Sequence, residues 1–132
     1  MSPPPPLLSV SLGDPAGIGP EVVAKAWDSR RALSVPPFVA VGDPRSVSEV
    51  WDGPVAILSD PADARDAFDH GLPLLAVPAA AASSPGQPTT AGAHCSLDSL
   101  ELAVGLARSG SCAGVVTGPV AKHQLYAIGF TH

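Results

Sequence analysis

Short, nearly continuous apolar runs alternate along the chain with segments whose apolar residues recur at helical spacing. Leu7-Leu8-Ser9-Val10-Ser11-Leu12 is too short for a helix and ends at Gly13, which predicts a buried strand. In the following "PEVVAKAWDSRRAL", Val22, Val23, Ala26 and Trp27 share one helical face. Pro20 suits the first turn of that helix, where its missing N–H removes no bond. The alternation continues with a strand over Pro37–Asp43, a short helix over Pro44–Gly53 and a strand over Val55–Asp60. One or two helical turns are expected in "ADARDAFDHG", then a strand over Leu72–Pro78. The segment Ala79–Gly92 is small, polar and broken by proline, and predicts a long surface loop. Leu97, Leu100, Leu102, Ala103, Val104 and Leu106 then mark a helix, with Ser96 as its N-cap and Gly110 closing it. "CAGVVTGPVAKHQLYAIG" follows as a strand, a glycine-proline turn and the start of another helix.

Strands of unbroken apolar character alternating with helices predict an α/β fold, a mostly parallel sheet with helices on both faces. The four prolines Pro3–Pro6 make residues 1–6 an extended tail ahead of one domain over 7–132. The chain stops at Gly129-Phe130-Thr131-His132 with neither a cap nor a polar tail, which reads as a truncation.

Composition narrows the function classes. Of 132 residues, 45% are hydrophobic and 14% charged, and so low a charge content implies either a small surface or a face covered by another domain or subunit. The net charge of −5, with seven scattered Lys and Arg, argues against nucleic acid or an anionic membrane as partner. No apolar run approaches the ~20 residues of a membrane span. The N-terminus lacks the basic segment of a signal peptide, so a cytoplasmic location is expected. Cys95 and Cys112 form neither a disulfide framework nor a metal knuckle and are expected as reduced thiols. His70, His94 and His123 show no ligand spacing and read as solvated histidines.

Two glycine-bearing turns fall at strand ends, where open parallel sheets gather ligands: Gly13–Glu21 and Thr117–Lys122. Glycine permits close approach of backbone, and a helix N-terminus offers free N–H groups. The spacing fits neither the dinucleotide fingerprint nor a phosphate-binding P-loop, so a plain strand-to-helix corner is the alternative reading. Asp14 serves either a ribose, a water or a backbone N–H near a cofactor, or only an Asx turn within the corner. Glu21 reads as an acid balancing the helix dipole. Lys122, just past a strand-end turn, is placed to bind a substrate anion or move a proton, or else begins a helix at the surface.

"GDPAGIGPEVVAKAW" resembles the N-terminal signature of the 4-hydroxythreonine-4-phosphate dehydrogenases of vitamin B6 synthesis. "VGDP" at Val41–Pro44, "PGQP" at Pro85–Pro88 and "VVTGPVAKHQLYAIGF" at Val115–Phe130 follow in the family's order. The first and last strings are specific and the middle two weak, and the similarity runs from about Leu7 to the end. A more distant likeness is to isopropylmalate and isocitrate dehydrogenases, whose corresponding turn lacks the Pro15-Ala16 enlargement.

The resemblance implies oxidation of 4-phosphohydroxy-L-threonine by NAD or NADP, with decarboxylation to 3-amino-2-oxopropyl phosphate. It further implies a divalent metal (Zn, Mg or Co) on histidines downstream of this chain, and a homodimer when full length. No metal ligand is assigned here; His132 precedes the family's Gly-His/Gln-Thr-Glu segment and is not counted as one. On this reading Asp14, Gly17 and Gly19 meet the cofactor, Thr117 and Gly118 meet the substrate, and Lys122 is the catalytic candidate. A paralogue acting on a related phospho-hydroxyacid such as 4-phosphothreonate, or a non-catalytic α/β fragment, are the alternatives. The 132 residues alone are expected to be inactive, since half a cleft cannot position the reactants.

Overall fold

The computed structural model describes residues 6–77 and 90–117. Within them lie five strands, β1 (Leu8–Ser11), β2 (Phe38–Gly42), β3 (Val55–Leu58), β4 (Leu72–Ala76) and β5 (Gly114–Thr117). The helices are α1 (Gly19–Asp28), α2 (Pro44–Ser48), α3 (Ala64–Ala67) and α4 (Thr90–Arg108), with a 3-10 turn at Pro61–Asp63. The strands form one sheet in the order β3-β4-β2-β1-β5, every pair parallel. This is the expected α/β architecture, and the strand positions agree with the apolar runs to within a residue or two at each end.

Alternation along each strand divides the interior into two layers. Leu8, Val10, Leu12, Phe38, Ala40, Leu72 and Leu74 face one side, where Val23, Ala24 and Trp27 of α1 and Val47 of α2 cover them. Leu7, Val39, Val41, Leu75 and Val77 face the other, under Cys95, Ala103 and Leu106 of α4. The arrangement follows from crossover handedness. The path β1-β2-β3 travels toward one edge with α1 and α2 on one face, and β4-β5 returns with α4 on the opposite face.

Aromatic contacts fix the first layer. The Trp27 indole N–H donates to the Phe68 carbonyl at 2.8 Å, so the ring is buried without an orphaned donor. Trp27 meets Trp51 edge-on at 5.7 Å between centroids, and Phe38 meets Phe68 likewise at 5.1 Å. On the opposite layer the Ser9 hydroxyl donates to the Ala103 carbonyl at 2.8 Å and ties α4 to β1.

Three expectations are corrected. The helix expected from Ser96 begins at Thr90, so Ser96 is not its N-cap but a buried residue inside α4. Residues 90–92 accordingly belong to that helix and not to the long loop. α1 ends at Asp28 rather than near Leu33, because Arg31–Ser34 form a turn closed by Ser34 at φ 54°. α2 is also shorter than its expected span and stops at Ser48. Gly110, at φ 88°, terminates α4 as expected.

Candidate active-site edge

Parallel strands deliver all their carboxyl ends to one edge of the sheet. β1 lies between β2 and β5, with Ser11 opposite both Val41 and Thr117. The chain therefore leaves β1, β2 and β5 at neighbouring points, and Thr117 stands one strand away from the Gly13–Glu21 corner. Gly118 and Lys122 lie outside the described residues, as do Pro85–Pro88, His123 and His132.

The corner after β1 is built by Gly13, whose φ of 79° is open to glycine and strained for other residues. Asp14 follows, only 3% exposed. Its Oδ1 accepts the Ala16 N–H at 2.8 Å, and its carbonyl accepts the Gly17 N–H at 2.9 Å, closing an Asx turn and a four-residue turn together. Asp14 Oδ2 is buried and has no hydrogen-bond partner among the described residues. One carboxylate oxygen thus serves the corner while the other is left for a donor. Gly17 is exposed, Gly19 is buried as the first residue of α1, and neither adopts positive φ. The conformational demand falls on Gly13 instead. A Cβ at Gly17 would stand 3.3 Å from the Asp14 carbonyl, close enough to disturb the turn. No side chain caps α1, since Ile18 occupies its N-cap position. Glu21 in the first turn pairs with Lys25 at 3.1 Å in the solvent, consistent with a dipole-balancing acid.

The corner after β2 repeats the chemistry. Gly42-Asp43-Pro44 matches Gly13-Asp14-Pro15, and Asp43 is 2% exposed. Asp43 caps α2 by accepting the Arg45 N–H at 3.0 Å, and its carbonyl accepts the Ser46 hydroxyl at 2.6 Å. Leu12 packs directly over Gly42: a Cβ there would stand 2.6 Å from Leu12 Cδ1. Two buried carboxylates therefore stand at adjacent strand ends.

The amino-terminal half of α4 approaches the same edge. Burial, then the charge of Asp43, push the Cys95 thiol up to about 11, with Asp98 and Asp14 adding and a hydrogen bond with Ser99 opposing. One thiol thus senses both corner carboxylates. The Ser96 hydroxyl, one residue on, is buried without a partner among the described residues, and Ser99 donates to the Cys95 carbonyl at 2.7 Å. Asp43, Cys95 and Ser96 were not singled out from sequence as site residues. The doubled Gly-Asp-Pro was the available signal for Asp43; nothing in the local pattern marked Cys95 or Ser96.

Two buried carboxylates make this edge suited to hydroxyl or ammonium donors, and Asp14 Oδ2 is the open acceptor. The metal expectation meets no donor set here: among the described residues no group of three His, Cys, Asp or Glu converges to hold an ion. His70 and His94 are exposed. Also among the described residues, no helix is long and apolar enough to cross a membrane. Cys95 and Cys112 are free and buried.

Comparison with known proteins places the fold in a family. Residues 34–132 match the family described as pyridoxal phosphate biosynthetic protein PdxA. The chain is 44% identical to the 4-hydroxythreonine-4-phosphate dehydrogenase of Zymomonas mobilis, over 94% of this chain and 37% of that protein. It is also 44% identical to the enzyme of that name from Erythrobacter litoralis, over 95% of this chain and 38% of the relative. It therefore spans well under half the length of the curated relatives it matches. The crystal structure of the Klebsiella pneumoniae 4-hydroxythreonine-4-phosphate dehydrogenase superposes with a TM-score of 0.81 at 25% identity, over 96% of this chain and 41% of that one. A terephthalate 1,2-cis-dihydrodiol dehydrogenase from Burkholderia xenovorans shares the fold, with a TM-score of 0.73 at 22% identity, covering 92% of this chain and 36% of that one. On the extent of the family match and the identity to its members, this chain belongs to the PdxA family.

Proposed function

We propose that the full-length protein carrying this chain oxidises 4-phosphohydroxy-L-threonine with NAD or NADP, with loss of carbon dioxide to give 3-amino-2-oxopropyl phosphate in pyridoxal phosphate synthesis. Family membership carries this reading, and it is supported by identities of 41% to 44% with relatives bearing that enzyme's name. Residues 7–132 then form the N-terminal part of the dehydrogenase domain, preceded by the tail 1–6. The protein works in the cytoplasm as a homodimer, without nucleic acid or membrane partners.

A bound nicotinamide would supply the hydride acceptor for oxidation of the alcohol carbon. Asp14 holds a cofactor hydroxyl through the oxygen that the corner leaves open. Gly17 and Gly19 let backbone approach the cofactor closely beside it. Thr117, at the end of β5 one strand away, and Gly118 bind the substrate, and Lys122 anchors its anionic group or takes the hydroxyl proton. The described residues supply no metal ligands, and the divalent ion (Zn, Mg or Co) is assigned to histidines in the part of the family's chain beyond these residues.

Assay of the full-length protein with 4-phosphohydroxy-L-threonine, NAD or NADP, and a panel of divalent ions tests the reading. Metal-dependent cofactor reduction with stoichiometric carbon dioxide is expected. Reduction with 4-phosphothreonate and none with 4-phosphohydroxy-L-threonine would move the protein to a paralogous activity; no reduction with either would end the dehydrogenase assignment.

A further inference from the structure

We propose that the apolar groove between α1 and β5 is the seat of residues 118–132, the segment that carries Lys122. A cavity of about 230 Å³ opens there, and every residue lining it is apolar, among them Leu8 and Val10 of β1, Val22 and Ala26 of α1, Phe38 of β2 and Val116 of β5. Val22 is 53% exposed and Val116 49%. Exposed apolar side chains scattered singly need no cover, but these wall one hollow.

The topology says why the hollow exists. Val116 stands opposite Val10, so β5 turns it toward the face that α1 covers. On that face α1 and α2 pack over β1, β2 and β4 and leave Val116 half-exposed. The other face of β5 is already taken by α4, whose last turn is joined to the start of β5 by the Cys112 N–H donating to the Leu106 carbonyl. The vacant strip is therefore beside α1.

The sequence names the occupant. Residues 118–132 lie outside the described residues, and they follow β5 directly, two residues after Val116. In them Ala121, Leu125 and Ile128 recur at i, i+4 and i+7, one face of a helix, with Lys122 and His123 off that face. From Ala121 to Ile128 such a face is about 10 Å long, and Val22 to Ala26 spans about 6 Å of α1, so the groove takes two of the three side chains at once. Neither surface carries a charge, and burying them against each other removes apolar area from water on both sides. Seated in this way, Ala121 brings its neighbour Lys122 to the carboxyl end of β5. The seat does not depend on the reaction proposed above, and its test needs no substrate.

Hydrogen exchange of the full-length protein, read by mass spectrometry, tests this. Val22→Asp, which puts a charge into the groove from an exposed position, is expected to speed exchange across residues 121–130 at least about tenfold. Leu33→Asp, a like change at an exposed apolar residue outside the groove, is expected to leave those residues as in the wild type. Circular dichroism on melting establishes that both variants are folded. If Val22→Asp is not, the pair Val22→Cys/Leu125→Cys is read instead, and mild oxidation is expected to join the two positions. No such bond is expected from Val115→Cys/Leu125→Cys, since Val115 pairs with Ser9 and faces the α4 side. Unchanged exchange over 121–130, absence of the Val22 cross-link, or a cross-link from Val115 in its place would overturn the proposal. Faster exchange confined to residues beyond 132 would also overturn it, by giving the groove to a later part of the chain.

Discussion

Gly13 carries the conformational demand of the corner after β1. Its φ of 79° places any other residue in the left-handed region, at a cost of about 1–2 kcal/mol. Gly13→Ala is therefore expected to lower unfolding free energy by about that amount in denaturant titration. Gly42 answers to packing instead. Its added methyl would meet the fully buried Leu12 at 2.6 Å, and Gly42→Ala is expected to cost about 1–3 kcal/mol by overpacking. Asp14 combines a structural bond to Ala16 with an open oxygen. Asp14→Asn preserves the acceptor for Ala16 and is expected to raise the cofactor KM of the full-length enzyme with little change in melting temperature; an unchanged KM would leave Asp14 a turn residue only. At this scale sequence reading located Asp14 through its turn. It did not separate Gly13 from Gly17 and Gly19, since φ is set by the path from strand to helix and not by residue type.

The strands were legible as compact apolar runs, most plainly β2 and β4, which are buried on both faces over most of their length. The start of α4 was not. Thr90-Ala91-Gly92-Ala93 contains no large apolar residue, yet Gly92, Ala93, Cys95, Ser96 and Ser99 are buried. Small side chains let that half of the helix approach the sheet closely, and a periodicity scan weighted to Leu and Val passes over them. The same closeness places Cys95 where Asp43 and Asp14 act on it. Its thiol, raised from 9.0 to about 11, stays protonated in the fold while the unfolded chain ionises. The stabilisation is full below pH 9 and is lost as pH climbs from 9 toward 11. Stability measured across that range is expected to fall in the wild type more steeply than in Cys95→Ala. Trp27 illustrates the opposite layer. Its removal in Trp27→Ala empties the space between α1, Trp51 and Phe68 and is expected to cost about 3–5 kcal/mol.

Over the whole molecule, strand order decides which residues meet. The succession of elements was readable along the chain, but the order β3-β4-β2-β1-β5 was not, because pairing partners are far apart in sequence. That order sets Thr117 beside Ser11 and brings two Gly-Asp-Pro corners together on one edge. It also sets Val116 beside Val10 at the groove next to α1. The acidic edge and the apolar groove are thus products of the topology as much as of the composition. The proposed function assigns the cofactor to the corner after β1 and the substrate's anionic group or hydroxyl proton to Lys122. The kcat/KM of the full-length Lys122→Ala variant for 4-phosphohydroxy-L-threonine tests that assignment most directly. A fall of at least about a hundredfold with an unaltered melting temperature is predicted; a rate equal to the wild type would contradict it.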